Sequence, residues 1–340
     1  METIFCKMGI QIAGMDFLTG SSTKKGAYME KKIVVFGSFV VDLAGKTEVL
    51  PLPGQTVMGH DFRMGPGGKG SNQAVAAHRA GADVTLVTKL GKDMMGTIAT
   101  DFYKKEGMSQ EYVFMDEEEQ TGIALISVED RTVQNTIIVI PGACNSITKE
   151  EVDKCEEIIS QAAFVVFQHE INKDAQEYAI NLAYKHGTPV ILNPAPAAPI
   201  KKEVLEKINT IIPNETEAYV LTGIQVKDKE TAEQAAKIFF DCGVKNVVIT
   251  MGSRGVYAND GENSMLFDSL KVEAIDTTGA GDAFIGGFSA AYADGKSLFD
   301  AVKFGNVTGA LAVTKNGTAT ATPYKNEIDE FVRKYYPELL

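Results

Sequence analysis

From Ile33 onward, short β-branched and aromatic runs alternate with segments of helical period, and a chain built this way has few architectures open to it. Strands joined through helices run parallel and need cover on both faces. The expected strands are Ile33–Phe36, Val84–Thr88, Phe164–Phe167, Val190–Asn193, Thr210–Ile212 and Val247–Thr250. Helical period is clearest over Asn72–Ala80, Ile98–Glu106, Ala175–His186 and Thr231–Asp241. The implied class is α/β, a mostly parallel sheet sandwiched by helices. Ligands of such sheets sit beyond the carboxyl ends of the strands. Several expected strands end there in a polar residue beside Gly or Pro: Gly37-Ser38, Asn193-Pro194 and Thr250-Met251-Gly252.

Residues 43–64 and 121–140 break the alternation. Ile123–Val128 and Thr136–Ile140 read as paired antiparallel strands, which predicts a small antiparallel β lid projecting from the main body. Its apolar face needs cover, from closure over a ligand or from a second subunit in a homodimer. The plain alternative is a sheet extension packed on its own core. Residues 1–28 carry Lys7 and Asp16 among their apolar residues and show no signal-peptide pattern, so they are expected to be a dispensable extension of one large domain over 29–340.

Composition excludes several function classes. No run approaches the roughly 18 apolar residues a membrane span needs. The net charge of −12 and the lack of a Lys/Arg-rich run argue against nucleic acid as a partner. Cys6, Cys144, Cys155 and Cys242 have no metal or redox spacing, which fits buried thiols in a reducing, cytoplasmic setting.

The most informative segment is Asp276-Thr277-Thr278-Gly279-Ala280-Gly281-Asp282, followed by the helical Ala283–Phe288. Small residues before a helix let backbone N–H groups converge at its positive end, which makes an anion site suited to a transferring phosphoryl group. A carboxylate at the mouth of that site makes sense as acceptor of a hydroxyl proton, so Asp282 is the candidate base. Otherwise Asp282 is an ordinary first-turn acid. Gly65-Pro66-Gly67-Gly68-Lys69-Gly70-Ser71-Asn72 also opens a helix. It is no phosphate loop of the usual kind, since Lys69 is followed by Gly70 rather than Ser or Thr. Exposed amides beside Lys69 and Asn72 suit a ligand rich in hydroxyls; the alternative is a turn with Asn72 as helix cap.

Together these segments resemble the ribokinase family of sugar kinases, within the phosphofructokinase-B superfamily. Gly67–Gly91 is similar to its first signature and Asp276–Phe288 to its second, with Asn193-Pro194-Ala195-Pro196, Pro213–Glu217 and Thr250–Gly255 between them in family order. The resemblance spans residues 33–335 and implies a ribokinase-like fold. It also implies ATP-dependent phosphorylation of the primary 5-hydroxyl of a pentose, ribose or 2-deoxyribose. A ketohexose or nucleoside kinase of the same family is the alternative. A silent sugar sensor is disfavoured, because Asp282, the loop glycines and Glu217 are all present.

Carried over by position, Asp282 is the base, and Gly279, Ala280 and Gly281 form the anion hole. Asp42, Gly68, Lys69, Asn72 and Glu170 match positions that hold sugar hydroxyls. Asn214 and Glu217 match a motif associated with Mg2+ and phosphate, where a cap and its first-turn partner would be the plain alternative. Thr250, Gly252, Ser253, Gly255 and Asn306 match nucleotide-side positions. A potassium site is implied at Asp276, Thr278, Ala312, Lys315 and Gly317, mostly through backbone carbonyls. Ala321 stands where a hydroxyl is usual in that site, with Thr320 and Thr322 beside it.

Val40 departs from the family pattern, which usually places Asn there, whereas relatives that prefer 2-deoxyribose carry an apolar residue. An apolar wall leaves a facing hydroxyl without a partner, at roughly 1–3 kcal/mol. Val40 is thus a substrate-side candidate, or else a core residue continuing its strand.

Overall fold

The computed structural model describes residues 32–130 and 135–339, so the extension expected over 1–28 lies outside the described residues. In chain order the strands are β1 Lys32–Phe36, β2 Val40–Thr47, β3 Gly59–Gly67, β4 Asp83–Gly91, β5 Val113–Asp116, β6 Thr121–Glu129, β7 Asn135–Gly142, β8 Phe164–Phe167, β9 Val190–Leu192, β10 Thr210–Ile211, β11 Asn246–Thr250, β12 Val256–Asn259 and β13 Ser264–Phe267. The helices are α1 Lys69–Arg79, α2 Met94–Glu106, α3 Lys149–Asp153, α4 Glu156–Gln161, α5 Lys173–His186, α6 Lys202–Leu205, α7 Glu215–Thr222, α8 Lys229–Asp241, α9 Ala280–Ala293, α10 Leu298–Ala312 and α11 Lys325–Tyr335.

Among the described residues the main sheet runs β13-β12-β11-β10-β9-β8-β1-β4-β5. From β11 to β5 every pairing is parallel, while β12 and β13 fold back antiparallel at one edge. Alternation along β1 sets the layers. Val34 and Phe36 enter a core with α5, α7 and α8, whereas Ile33 and Val35 enter a second core with α1, α2, α9 and α10. Phe36 and Phe167 stack across β1 and β8 with centroids 5.4 Å apart. Each fully buried side chain of this size contributes about 1.5–3 kcal/mol of transfer free energy.

All six expected strands are present; β5, β12 and β13, short and carrying Met, Ala, Ser or Asn, were not expected. Three helices start two to four residues before their expected starts, because an apolar pattern begins only after the cap. Asp93 and Asp228 accept the N–H groups of Gly96 and Thr231 ahead of α2 and α8, and Asn172 precedes α5. Helix α1 likewise starts at Lys69. Gly68, at φ 87°, caps it, so Asn72 lies inside the first turn and is not the cap.

The projecting sheet has the order β3-β2-β6-β7. Its outer pairs β2–β3 and β6–β7 are antiparallel, with Ile126 opposite Ile137, and the two hairpins join through a parallel β2–β6 pair. The strands reach Val40 and Gly67, three residues beyond the expected segment at each end, which carries this sheet directly into the turn before α1.

Arg79, at the end of α1, ties that helix to its surroundings. Its guanidinium makes two hydrogen bonds to the Glu106 carboxylate at 2.9 and 2.8 Å, with both side chains only 6% and 5% exposed. It also donates to the carbonyls of Ala319 and Thr322 at 3.2 and 2.7 Å, and lies over the Tyr324 ring. Removing one partner of a buried ion pair leaves the other charge uncompensated. Arg79→Ala should therefore cost about 3–5 kcal/mol in urea unfolding. A loss below about 1 kcal/mol would show that the segment near residue 320 is held by other contacts.

Candidate active site

Asp282 sits in the first turn of α9, buried where α9 meets α1. Gly286 permits that approach, since a Cβ there would lie 2.2 Å from the Ala76 Cβ. With the helices this close, Asn72 Nδ2 donates to Asp282 Oδ2 at 2.9 Å and Gln73 Nε2 to Oδ1 at 3.0 Å. Gln73 is fixed in turn by Asn193 Oδ1 at 3.1 Å and by Gln168 Nε2, which donates to its Oε1 at 2.7 Å. A first-turn acid favoured only by the dipole would face solvent, and Asp282 does not. Just before it, Gly279 takes φ 75° and no side chain caps the helix. The amides of Gly281 and Asp282 donate to nothing among the described residues.

On one side of Asp282 lies a polar cluster built on the β1–β2 turn and the start of α1. Glu170 Oε2 accepts from Ser38 Oγ at 2.5 Å and from the Lys69 amide at 2.9 Å. Gly68 has to be glycine, since a Cβ would meet Ser38 O, Phe39 Cα and Val40 N, each at 2.8 Å. Asp42 accepts from Thr318 Oγ1 at 3.0 Å. The Lys69 ammonium is held charged above its ordinary range, chiefly by Asp282 and then by Glu170 and Glu217, against burial. Burial pushes Asp42 up to about 6, opposed by the Thr318 hydrogen bond and assisted by Glu170 and Asp282. Asn72 Oδ1 is buried with no partner among the described residues. Val40 is 3% exposed, yet it joins neither core and shares its face of β2 with Asp42, opposite Gly67 and Gly122.

On the other side a cleft of about 550 Å³ runs from Asp282 and the Gly279–Gly281 turn toward Thr250, Gly252, Ser253, Gly255 and Asn306. Lys69, Asn214 and Glu217 also line it. Asn214 and Glu217 form a reciprocal capping box, so the cap reading holds as well: Glu217 N donates to Asn214 Oδ1 and Asn214 N to Glu217 Oε2, both at 2.8 Å. Burial raises Glu217 above the usual carboxylate range. Asn306 donates to the Asp268 carbonyl at 2.8 Å.

The positions expected around potassium gather beneath this turn. Asp276 Oδ1 accepts from Thr278 N at 2.9 Å and Oδ2 from Gly317 N at 3.1 Å. The carbonyl of Ala312 accepts from Lys315 N, whereas those of Thr278, Lys315 and Gly317 accept nothing among the described residues. The Lys315 ammonium turns away to Glu327. Of the hydroxyls flanking Ala321, Thr322 is engaged with Ala319 O and Arg79, while Thr320 Oγ1 lies against Gly317, 2.5 Å from where a Cβ would stand.

A cleft ending on a buried carboxylate and uncapped amides does not fix a family by itself, and similarity to known proteins does. The family model described as pfkB family carbohydrate kinase matches residues 30–325. The chain belongs to this family of carbohydrate kinases. A ribokinase of Haemophilus influenzae is 37% identical over 304 residues, 89% of this chain and 99% of the relative. A deoxyribokinase of Salmonella typhi is 33% identical over 301 residues, 88% and 98% of the two chains. The structure of Arabidopsis thaliana ribokinase complexed with ribose and ATP superposes with a TM-score of 0.81 at 29% identity, covering 88% of this chain and 98% of that one.

Three residues of this candidate site escape sequence reading, Gln73, Gln168 and Thr318, while Ser38 is marked there only as a strand-end position. Gln168 directly follows β8, and Gln73 adjoins Asn72, so position offered a signal for these two. Thr318 offered none.

The elevated Asp42 predicts a pH-dependent stability. Between its ordinary value of 3.8 and about 6 the folded kinase keeps a proton that the unfolded chain has released. Asp42 therefore favours the fold below about pH 4, loses that advantage as pH rises to 6, and is a net cost above. Asp42→Asn should add about 1–2 kcal/mol at pH 7.5, after allowance for screening, and almost nothing at pH 4. Melting curves at both pH values check this, and an equal gain at both would contradict the assignment.

Proposed function

We propose that this carbohydrate kinase transfers the γ-phosphoryl group of ATP to the primary 5-hydroxyl of a pentose, ribose or 2-deoxyribose, giving the sugar 5-phosphate and ADP. The observation that carries the reading is the position of Asp282: a buried, doubly hydrogen-bonded carboxylate beside the free amides of Gly281 and Asp282, with a hydroxyl-binding rim on one side and a nucleotide-sized cleft on the other. ATP lies in the cleft along Thr250, Gly252, Ser253, Gly255 and Asn306. The sugar lies against Asp42, Gly68, Lys69, Asn72 and Glu170, with the free Asn72 Oδ1 as one acceptor.

In the transfer, the 5-oxygen bonds to the γ-phosphorus as the bond to the β,γ-bridging oxygen breaks. Asp282 takes the hydroxyl proton. The amides of the Gly279–Gly281 turn and the positive end of α9 face the charge that builds on the transferring group. Lys69, held protonated among three carboxylates, keeps the site from repelling polyphosphate.

Among the described residues no cluster of His, Cys, Asp or Glu forms a metal cage. Glu217 and Asn214 at the cleft would stand beside a Mg2+ ion brought in with ATP, which would supply charge neutralisation of the phosphates. The free carbonyls of Thr278, Lys315 and Gly317, with Asp276 and Ala312, fit K+, and Thr320 supplies the hydroxyl that Ala321 lacks. A bound potassium ion would supply fixed positive charge beside the anion hole. The kinase domain is assigned to residues 29–340, acting in the cytoplasm. Ile137, Ile138, Val139 and Ile140 on β7 are 45–62% exposed on both faces of an edge strand, which supports a homodimer through the projecting sheet.

The sugar follows from Val40. Its place on the Asp42 face supports contact near carbon 2, where an apolar wall accepts a missing hydroxyl. In a coupled assay 2-deoxyribose should be used with kcat/KM at least comparable to ribose, and 31P NMR should show the product phosphate split by a methylene pair. Val40→Asn should shift the preference toward ribose by about tenfold. A wild-type enzyme that barely accepts 2-deoxyribose, or an unchanged ratio in the variant, would return Val40 to a packing role.

A further inference from the structure

Thr318 touches both halves of the site, and the transfer described above leaves it without a role. Its hydroxyl has one proton and two acceptors in reach, Asp42 Oδ2 at 3.0 Å and the Pro66 carbonyl at 2.9 Å. Its backbone lies under the phosphate-facing turn, since a Cβ on Gly279 would stand 3.2 Å from the Thr318 Cα. The residues flanking it are anchored independently. Gly317 N donates to Asp276 Oδ2 at 3.1 Å, and the other oxygen of Asp276 holds the Thr278 amide at the head of the same turn. The Ala319 carbonyl accepts from the buried Arg79 guanidinium at 3.2 Å. A residue pinned on both sides transmits displacement, because a packed segment shifts between discrete arrangements more readily than it deforms.

We propose that Thr318 is a positioning residue that couples the two substrates: sugar hydroxyls closing on Asp42 fix the Thr318 hydroxyl, which holds segment 317–319 against Gly279 and so sets the amides of Gly281 and Asp282 for the γ-phosphate. This rests on the kinase reading above. Its consequence is thermodynamic. If the pentose organises the phosphate-facing turn, it tightens binding of a nucleotide triphosphate, and by linkage the triphosphate tightens the pentose by the same factor. Valine at 318 keeps the shape of threonine and removes the donor, freeing the Asp42 carboxylate from one of its fixed partners.

The test is calorimetric titration of a non-hydrolysable ATP analogue into the full-length protein, with and without saturating pentose, alongside steady-state kinetics. In the wild type the pentose should tighten the analogue about tenfold. In Thr318→Val that factor should fall below about twofold and the pentose KM should rise about tenfold, with a smaller change in kcat. Thr318→Ser, which keeps the hydroxyl, should recover both. If the valine variant lacks a melting transition, Thr318→Ala against Thr318→Ser carries the same comparison. Wild-type coupling and KM in Thr318→Val, or a serine variant as impaired as valine, would overturn the proposal while leaving the kinase reading intact. A wild-type protein that phosphorylates no pentose overturns the kinase reading itself, and this inference with it.

Discussion

The hydrogen bonds from Asn72 and Gln73 of α1 to the Asp282 carboxylate of α9 are the interaction on which the rest of the site depends. They require two helices from opposite ends of the chain to cross at close range, which Gly286 allows by leaving room for Ala76. Crossing there places the glycine turn before α9 next to the glycine turn before α1. One turn carries the Gly281 and Asp282 amides, which donate to nothing among the described residues, and the other leads to Glu170 and Asp42. The supporting chain runs inward from Asp282 through Gln73 to Asn193 and Gln168, at the ends of β9 and β8, so the carboxylate is fixed to the main sheet as well. A carboxylate positioned this way keeps one orientation, which is what the proton transfer proposed for it demands.

That arrangement has a cost. Asp42, Glu170 and Asp282 converge on one small region, and Lys69 stands among them with positive charge. Burial, with Glu170 and Asp282 nearby, raises Asp42 despite its hydrogen bond from Thr318. Burying Asp42 costs stability where the sugar is proposed to bind, and stiffness is recovered nearby: Arg79 with Glu106 locks α1 to α2 and to the segment before α11. The site thus combines a tense ligand surface with a rigid surround.

Much of this was legible in the sequence, for definable reasons. Strands buried on both faces are continuous apolar runs, so the six central ones could be placed, while β12 and β13 at the edge could not. The two glycine turns announced themselves because their backbones have to approach other groups closely. What stayed hidden depends on contacts far apart in the chain. Gln73 and Asp282 are 209 positions apart, and Thr318 and Asp42 are 276 apart. No local pattern marks such partners. Asn72 was expected either on the sugar side or as a cap, and Gly68 capping α1 removes the second reading. For Asn214 and Glu217 the choice was unnecessary, because the same pair caps α7 and lines the cleft.

The central claim is that Asp282 accepts the proton of the attacking hydroxyl. Its most direct test is Asp282→Asn, which keeps the size of the side chain and removes its basicity. The account predicts a melting temperature within a few degrees of wild type, nearly unchanged affinity for an ATP analogue, and turnover lower by about a thousandfold. A folded variant that retained a tenth of wild-type turnover would contradict it.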